Sequence, residues 1–176
     1  MPARAHERAK TLDGGIEQSL AGLALPSLRD SVAQIRTYLQ RQDADHRYRN
    51  NVPRVLKTFE SHGLTFISVG PSFDKGPTDS HFNLESGSRL SFGITLREGN
   101  GRCSLVGYRF QLNLPEGRSP SFYRFDLNDK AHEKPLDEPR CHYHPGVEDV
   151  RLPCPALTPL DVLDRIFLVI EPRLLA

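Results

Sequence analysis

The chain has 176 residues, 38% hydrophobic and 26% charged, with 23 Lys and Arg against 22 Asp and Glu. That length suits one domain with one core, and the composition, with mean hydropathy −0.47, describes a soluble globular protein rather than a disordered or membrane one. No apolar run approaches the roughly 20 residues of a membrane-crossing helix, and a net charge of +1 assigns no sign to a partner.

Residues 1–10 carry charge with no apolar stretch behind them, unlike a secretory leader, so the expected location is cytoplasmic with no membrane partner. Cys103, Cys141 and Cys154 form an odd set without CxxC spacing, which suits free thiols in a reducing compartment. Residues 1–24 lack sustained periodicity and contain Gly14 and Gly15. They are read as a tail or loosely docked segment, leaving 25–176 as a single α+β domain.

From Ser27, the apolar residues Leu28, Val32, Ile35 and Leu39 recur at helical spacing, with Ser27 as N-cap and Asp30 at the positive end of the dipole. Polar residues then interrupt the stripe. A second helix is expected from Asn51, with Pro53 in its first turn and Val55, Leu56 and Phe59 on its apolar face, ending at Gly63. Beyond Gly63 the period falls to two. Strands are expected at 64–69, 89–96, 103–114 and 121–127, joined by the long polar loop 70–88, a Gly-rich turn at 98–101 and a Pro-rich turn at 115–120. Consecutive strands on short links imply an antiparallel meander of four or five strands. Thr158, Pro159 and Asp161 open a final helix through Leu163, Ile166, Phe167 and Ile170, expected to end before Pro172. The fold class is therefore α+β: an antiparallel four- to five-stranded meander with N-terminal helices and one C-terminal helix.

No phosphate-binding Gly loop, GxSxG elbow, HExxH or paired CxxC is present. The densest chemistry lies between Tyr123 and Cys154, which holds His132, His142 and His144 with Cys141 and Cys154. In extended chain, His142 and His144 share one face while Cys141 and Tyr143 take the other. Arg124 and Asp126 likewise share a face. If their strand pairs with 141–144, two imidazoles stand beside a carboxylate and a guanidinium. The imidazoles would then serve as acid and base, Asp126 would fix a tautomer, and Arg124 would hold a phosphate or oxyanion. The bland alternative is a turn whose histidines satisfy loop backbone groups. A zinc site drawn from Cys141, His142, His144, Cys154 or His132 is a third reading, weakened because Cys141 faces away from the histidines; no other cofactor is expected. Arg109, Arg118, Arg124, Arg140 and Arg151, with Phe122, Tyr123 and Tyr143 for stacking, are the candidate RNA contacts.

The run 107–112, the segment Phe122 to Asp126, the Pro139 to His144 cluster and the helix from Leu157 to Ile166 resemble the TumE-like toxins of toxin–antitoxin pairs. That resemblance implies growth inhibition, for which action on RNA is the usual supposition, and a cognate small protein, the antitoxin, as partner. A second resemblance, to ubiquitin-conjugating enzymes, rests on an N-terminal helix before a meander, the His144-Pro145-Gly146 turn, and a cysteine ten residues later. It implies a thioester carrier with Cys154 as nucleophile, although Gly146 stands where that family places its oxyanion-supporting Asn. A non-catalytic partner-binding module is the remaining alternative.

Overall fold

The computed structural model describes residues 25–44, 50–70, 81–99, 102–129 and 139–176. The reading of 1–24 as a tail, and His132, lie outside the described residues.

Helix α1 (Leu28–Ala44) opens as expected: the Asp30 amide donates to Ser27 Oγ at 3.2 Å. It buries Ile35 and Leu39 and continues through the polar residues expected to interrupt it. The second helix differs from expectation. Asn51 caps it and Pro53 lies in its first turn, but α2 covers only Val52–Val55. Leu56–Ser61 is instead strand β1, paired along its whole length with β2 (Leu64–Val69). The turn between them explains the change. His62 and Gly63 take φ of +50° and +71°, the left-handed pair that matches the twist of a two-residue hairpin. The spacing of Val55, Leu56 and Phe59 suits a helix, but six paired residues satisfy both backbones without one.

The sheet then adds β3 (Phe82–Asn83), β4 (Arg89–Gly99), β5 (Arg102–Asn113), β6 (Phe122–Leu127), β7 (Cys141–His144) and β8 (Leu152–Pro153). All pairings are antiparallel, in the order β1-β2-β4-β5-β6-β7-β8, with β3 also on β4. Among the described residues the sheet therefore has eight strands, seven of them in the meander, not four or five. The additions are β1, the short β3 inside the expected 70–88 loop, the short β8, and the His-rich segment itself.

The C-terminal helix begins with the expected capping box, in which Thr158 and Asp161 satisfy each other's backbone amides. It passes from α3 (Pro159–Asp164) through a π-helical stretch (Arg165–Ile170) into α4 (Glu171–Leu175), overrunning the expected stop at Pro172. A proline ring in a regular helix strikes the carbonyl four residues back and lacks the N–H to bond it. Here the Glu171 amide reaches back five residues to Ile166, and this widened stretch precedes Pro172.

Register divides the sheet into two faces. Leu56, Val69, Phe92, Phe110, Phe125, Tyr143 and Leu152 form a row across seven strands on the face that packs against the helices. Phe82 meets Phe167 of the C-terminal helix edge to face at 5.7 Å. The adjacent row, Lys57, Ser68, Gly93, Arg109, Asp126, His142 and Pro153, lies on the opposite face. One apolar and one polar face is the usual division in an antiparallel sheet covered on one side.

Candidate functional site

Strand β6 places Arg124 and Asp126 on the polar face, and β7 pairs them directly with the histidines: Arg124 with His144, and Asp126 with His142. The expected juxtaposition forms. All four residues are buried, with His142 at 2% and His144 at 0% exposure.

Backbone carbonyls orient both rings. His142 Nδ1 lies 2.8 Å from the Pro139 carbonyl and His144 Nδ1 3.4 Å from that of Val147. A carbonyl only accepts, so each Nδ1 carries a hydrogen and each Nε2 turns toward the strand opposite. Arg124 Nη2 donates to His144 Nε2 at 2.9 Å, and Arg124 Nε donates to Asp126 Oδ2 at 2.9 Å. Arg124 Nη1 donates to Glu148 at 2.8 Å. Asp126 Oδ1 also accepts from Arg109 Nε at 3.0 Å. His142 Nε2 stands 3.6 Å from Asp126 Oδ2, a contact that becomes an ion pair when that ring is protonated. With neutral imidazoles, Arg109 and Arg124 balance Asp126 and Glu148.

Three of these residues offer metal-ligand atoms: those of Asp126, His142 and His144 lie within 4.8 Å of one another. The donor types suit a transition metal. However, the Arg124 guanidinium donates to two of the three, Asp126 Oδ2 and His144 Nε2. A cation there meets a guanidinium in place of a lone pair, within a cluster already balanced in charge. The cysteines do not join this set. Cys141 and Cys154 lie on the helix side of the sheet, where Cys141 Sγ stands 3.8 Å from Tyr108 Oη.

The other expected contacts scatter. Arg109 is on the polar face with its side chain 43% exposed. Phe122 is on that face too, 5.8 Å from the Arg124 guanidinium carbon. Arg118 lies in the β5–β6 turn and donates to the Leu174 carbonyl of the C-terminal helix. Arg140 is buried and its Nε donates to the Asn128 carbonyl, away from the Arg124–Asp126 ladder. Tyr143 stacks on Phe125 at 5.6 Å on the covered face, and Tyr123, opposite Leu112, faces the same way. Arg151 is exposed in the loop before β8. Sequence alone does not mark Glu148, because only the folded β7–β8 loop brings it to Arg124.

Cys154 is only partly buried, but its thiol is pushed well above the ordinary range by its hydrogen bond with Cys141 and by burial. A thioester nucleophile needs the opposite shift. Gly146 has φ of +85°, and a Cβ there would meet Pro120 Cβ at 2.1 Å, so the position excludes the Asn side chain of a conjugating enzyme. Among the described residues, no helix is long and apolar enough to cross a membrane.

No family model, curated protein or solved structure matches the chain.

Proposed function

We propose that this chain is a toxin-type protein that grips RNA phosphate on the polar face of its sheet, with Arg124 as the principal contact. The observation that supports this reading is how Arg124 is held. Nε and Nη2 are fixed from behind by Asp126 and His144, while Nη1 points outward to Glu148, whose side chain is 61% exposed. An ion pair with so exposed a carboxylate contributes about 0–1 kcal/mol. A phosphate that displaces Glu148 meets a guanidinium already oriented, so little ordering entropy opposes binding.

His142 and His144 then act as positioning residues rather than acid and base, since their buried rings are shut off from a substrate on the surface. Arg109 supplies a second cation. Lys57 lies on the same row three strands away, about 15 Å at sheet spacing. Beside Lys57, exposed Phe59 stacks on Phe66 at 4.9 Å. Aromatic rings beside cations on one sheet face suit single-stranded RNA, whose bases stack without sequence preference.

The test is binding of a labelled single-stranded RNA by the full chain, alongside growth on expression. Arg124→Lys keeps the charge but loses the fixed fork; it should weaken binding about tenfold, near 1.4 kcal/mol, and relieve growth inhibition. Glu148→Gln should bind at least as tightly as wild type. Wild-type affinity in folded Arg124→Lys, or no retention of RNA at low salt, overturns the reading.

A partner-binding module is the second reading, favoured by Val147, Val150 and Leu152, all exposed around the β8 edge. An antitoxin-like protein seated there would still be captured by Arg124→Lys.

A further inference from the structure

We propose that Cys141 and Cys154 form a redox-modification site, in which hydrogen peroxide oxidises the two thiols to a cross-strand disulfide that fastens β8 to β7. The inference does not depend on the phosphate-binding reading.

The geometry comes from the ladder. His142 pairs with Pro153 and Tyr143 with Leu152, which sets Cys141 opposite Cys154, and the Cys154 amide donates to the Cys141 carbonyl at 3.1 Å. Residues directly opposite in such a pair have Cα atoms about 5.5 Å apart, within the range a disulfide spans. The thiols already meet, with sulfurs 2.9 Å apart. Cys141 is fully buried, whereas Cys154 is partly exposed, so a small oxidant has a way in. Cys103 belongs elsewhere, at the far end of β5 opposite Glu98.

Oxidation proceeds in two balanced steps. Cys154 sulfur attacks one peroxide oxygen, the O–O bond breaks, and a sulfenic acid and one water form. Cys141 sulfur then attacks the sulfenic sulfur, the S–O bond breaks, and the disulfide and a second water result. Two thiols lose two hydrogens and two electrons, and the peroxide is reduced to two waters. Access sets this order, because Cys154 is the partly exposed thiol; its hydrogen bond with Cys141 and its burial raise it, so the first step is slow.

The crosslink closes a loop that carries His142, His144 and Glu148. Among the described residues, β8 is two residues long and pairs only with β7. Closing a loop of this length constrains the unfolded chain enough to raise Tm by roughly 5–10 °C.

The experiment compares reduced and hydrogen-peroxide-treated full-length protein by intact mass, peptide mapping and thermal unfolding. The treated chain should be about 2 Da lighter, contain a peptide linking Cys141 to Cys154, and melt higher. Cys103→Ser should behave identically, and Cys154→Ser should show neither crosslink nor shift. Oxygen addition to Cys154 without a crosslink, a bond to Cys103, or an unchanged mass in folded Cys103→Ser would each overturn the proposal.

Discussion

Asp126 faces two guanidiniums while 3% exposed. Its worth is best read from what its loss leaves behind. Asp126→Asn keeps the shape but removes the charge, so Arg124, with only 10% of its side chain exposed, loses its buried counter-charge and keeps only the exposed Glu148 carboxylate. That change costs about 3–5 kcal/mol. Arg109 adds less, because its more exposed head returns to water. Urea unfolding should show a lower midpoint at unchanged m-value, and adding Arg124→Met should recover part of the loss by removing the stranded charge. A midpoint for Asp126→Asn within 1 M of wild type would mean that water already reaches the cluster. Much of this site is legible in sequence. Period-two alternation alone places Arg124 with Asp126 and His142 with His144, and it also sends Tyr143 to the opposite face, against its expected role as an RNA contact. Alternation does not supply register, so the pairing of β6 with β7 remains a condition until the fold meets it. Glu148 and the meeting of Cys141 with Cys154 depend on the path of the 145–151 loop, which no periodicity encodes.

At the scale of elements, two glycines show how differently turns constrain a chain. Gly63 and Gly146 both have positive φ, but a Cβ on Gly63 meets nothing within 4 Å, whereas one on Gly146 meets Pro120 at 2.1 Å. Gly63→Ala therefore incurs backbone strain alone, about 1 kcal/mol. Gly146→Ala adds a steric collision that must move either the β7–β8 loop or the turn before β6, and about 3 kcal/mol or more is expected. Denaturant midpoints of the two variants should differ in that order. Because Gly146 lies between His144 and Glu148, its variant should also weaken RNA binding, while Gly63→Ala should not. The same turns explain where reading by period failed. Val55, Leu56 and Phe59 satisfy helical spacing as well as they satisfy a strand that buries Leu56 and leaves Phe59 for the stack with Phe66. The His62–Gly63 pair decides between them through a backbone geometry that does not alter hydrophobic spacing. At Pro172 the helix runs on past the expected stop, since a proline ends a regular helix but not one widened just ahead of it.

Across the whole molecule, the helix layer is closed by contacts between the ends of the described chain. Helix α1 and the C-terminal helix meet where Tyr38 packs on Phe167 at 5.8 Å and its hydroxyl donates to Asp164 Oδ1 at 2.8 Å. The order of elements made a helix-on-sheet arrangement readable, but not this closure, which joins residues 126 positions apart. Its consequence is a dependence on alkaline pH. Burial and the neighbouring Asp164 carboxylate raise the Tyr38 hydroxyl above its ordinary value of 10.0. In the unfolded chain the phenol ionises near that value, so the folded state holds its proton more tightly. The contribution is fully present below pH 10 and is lost as pH climbs from 10 toward the folded value, because the unfolded state releases a proton that the folded state keeps. Tyr38→Phe removes the titrating group and its hydrogen bond while leaving the ring against Phe167, at a cost of about 1 kcal/mol at neutral pH. Thermal unfolding of both proteins from pH 7 to 11 should therefore show wild type starting higher and converging on the variant above pH 10. Parallel curves across that range would mean that the hydroxyl is solvated and that apolar packing alone closes the layer.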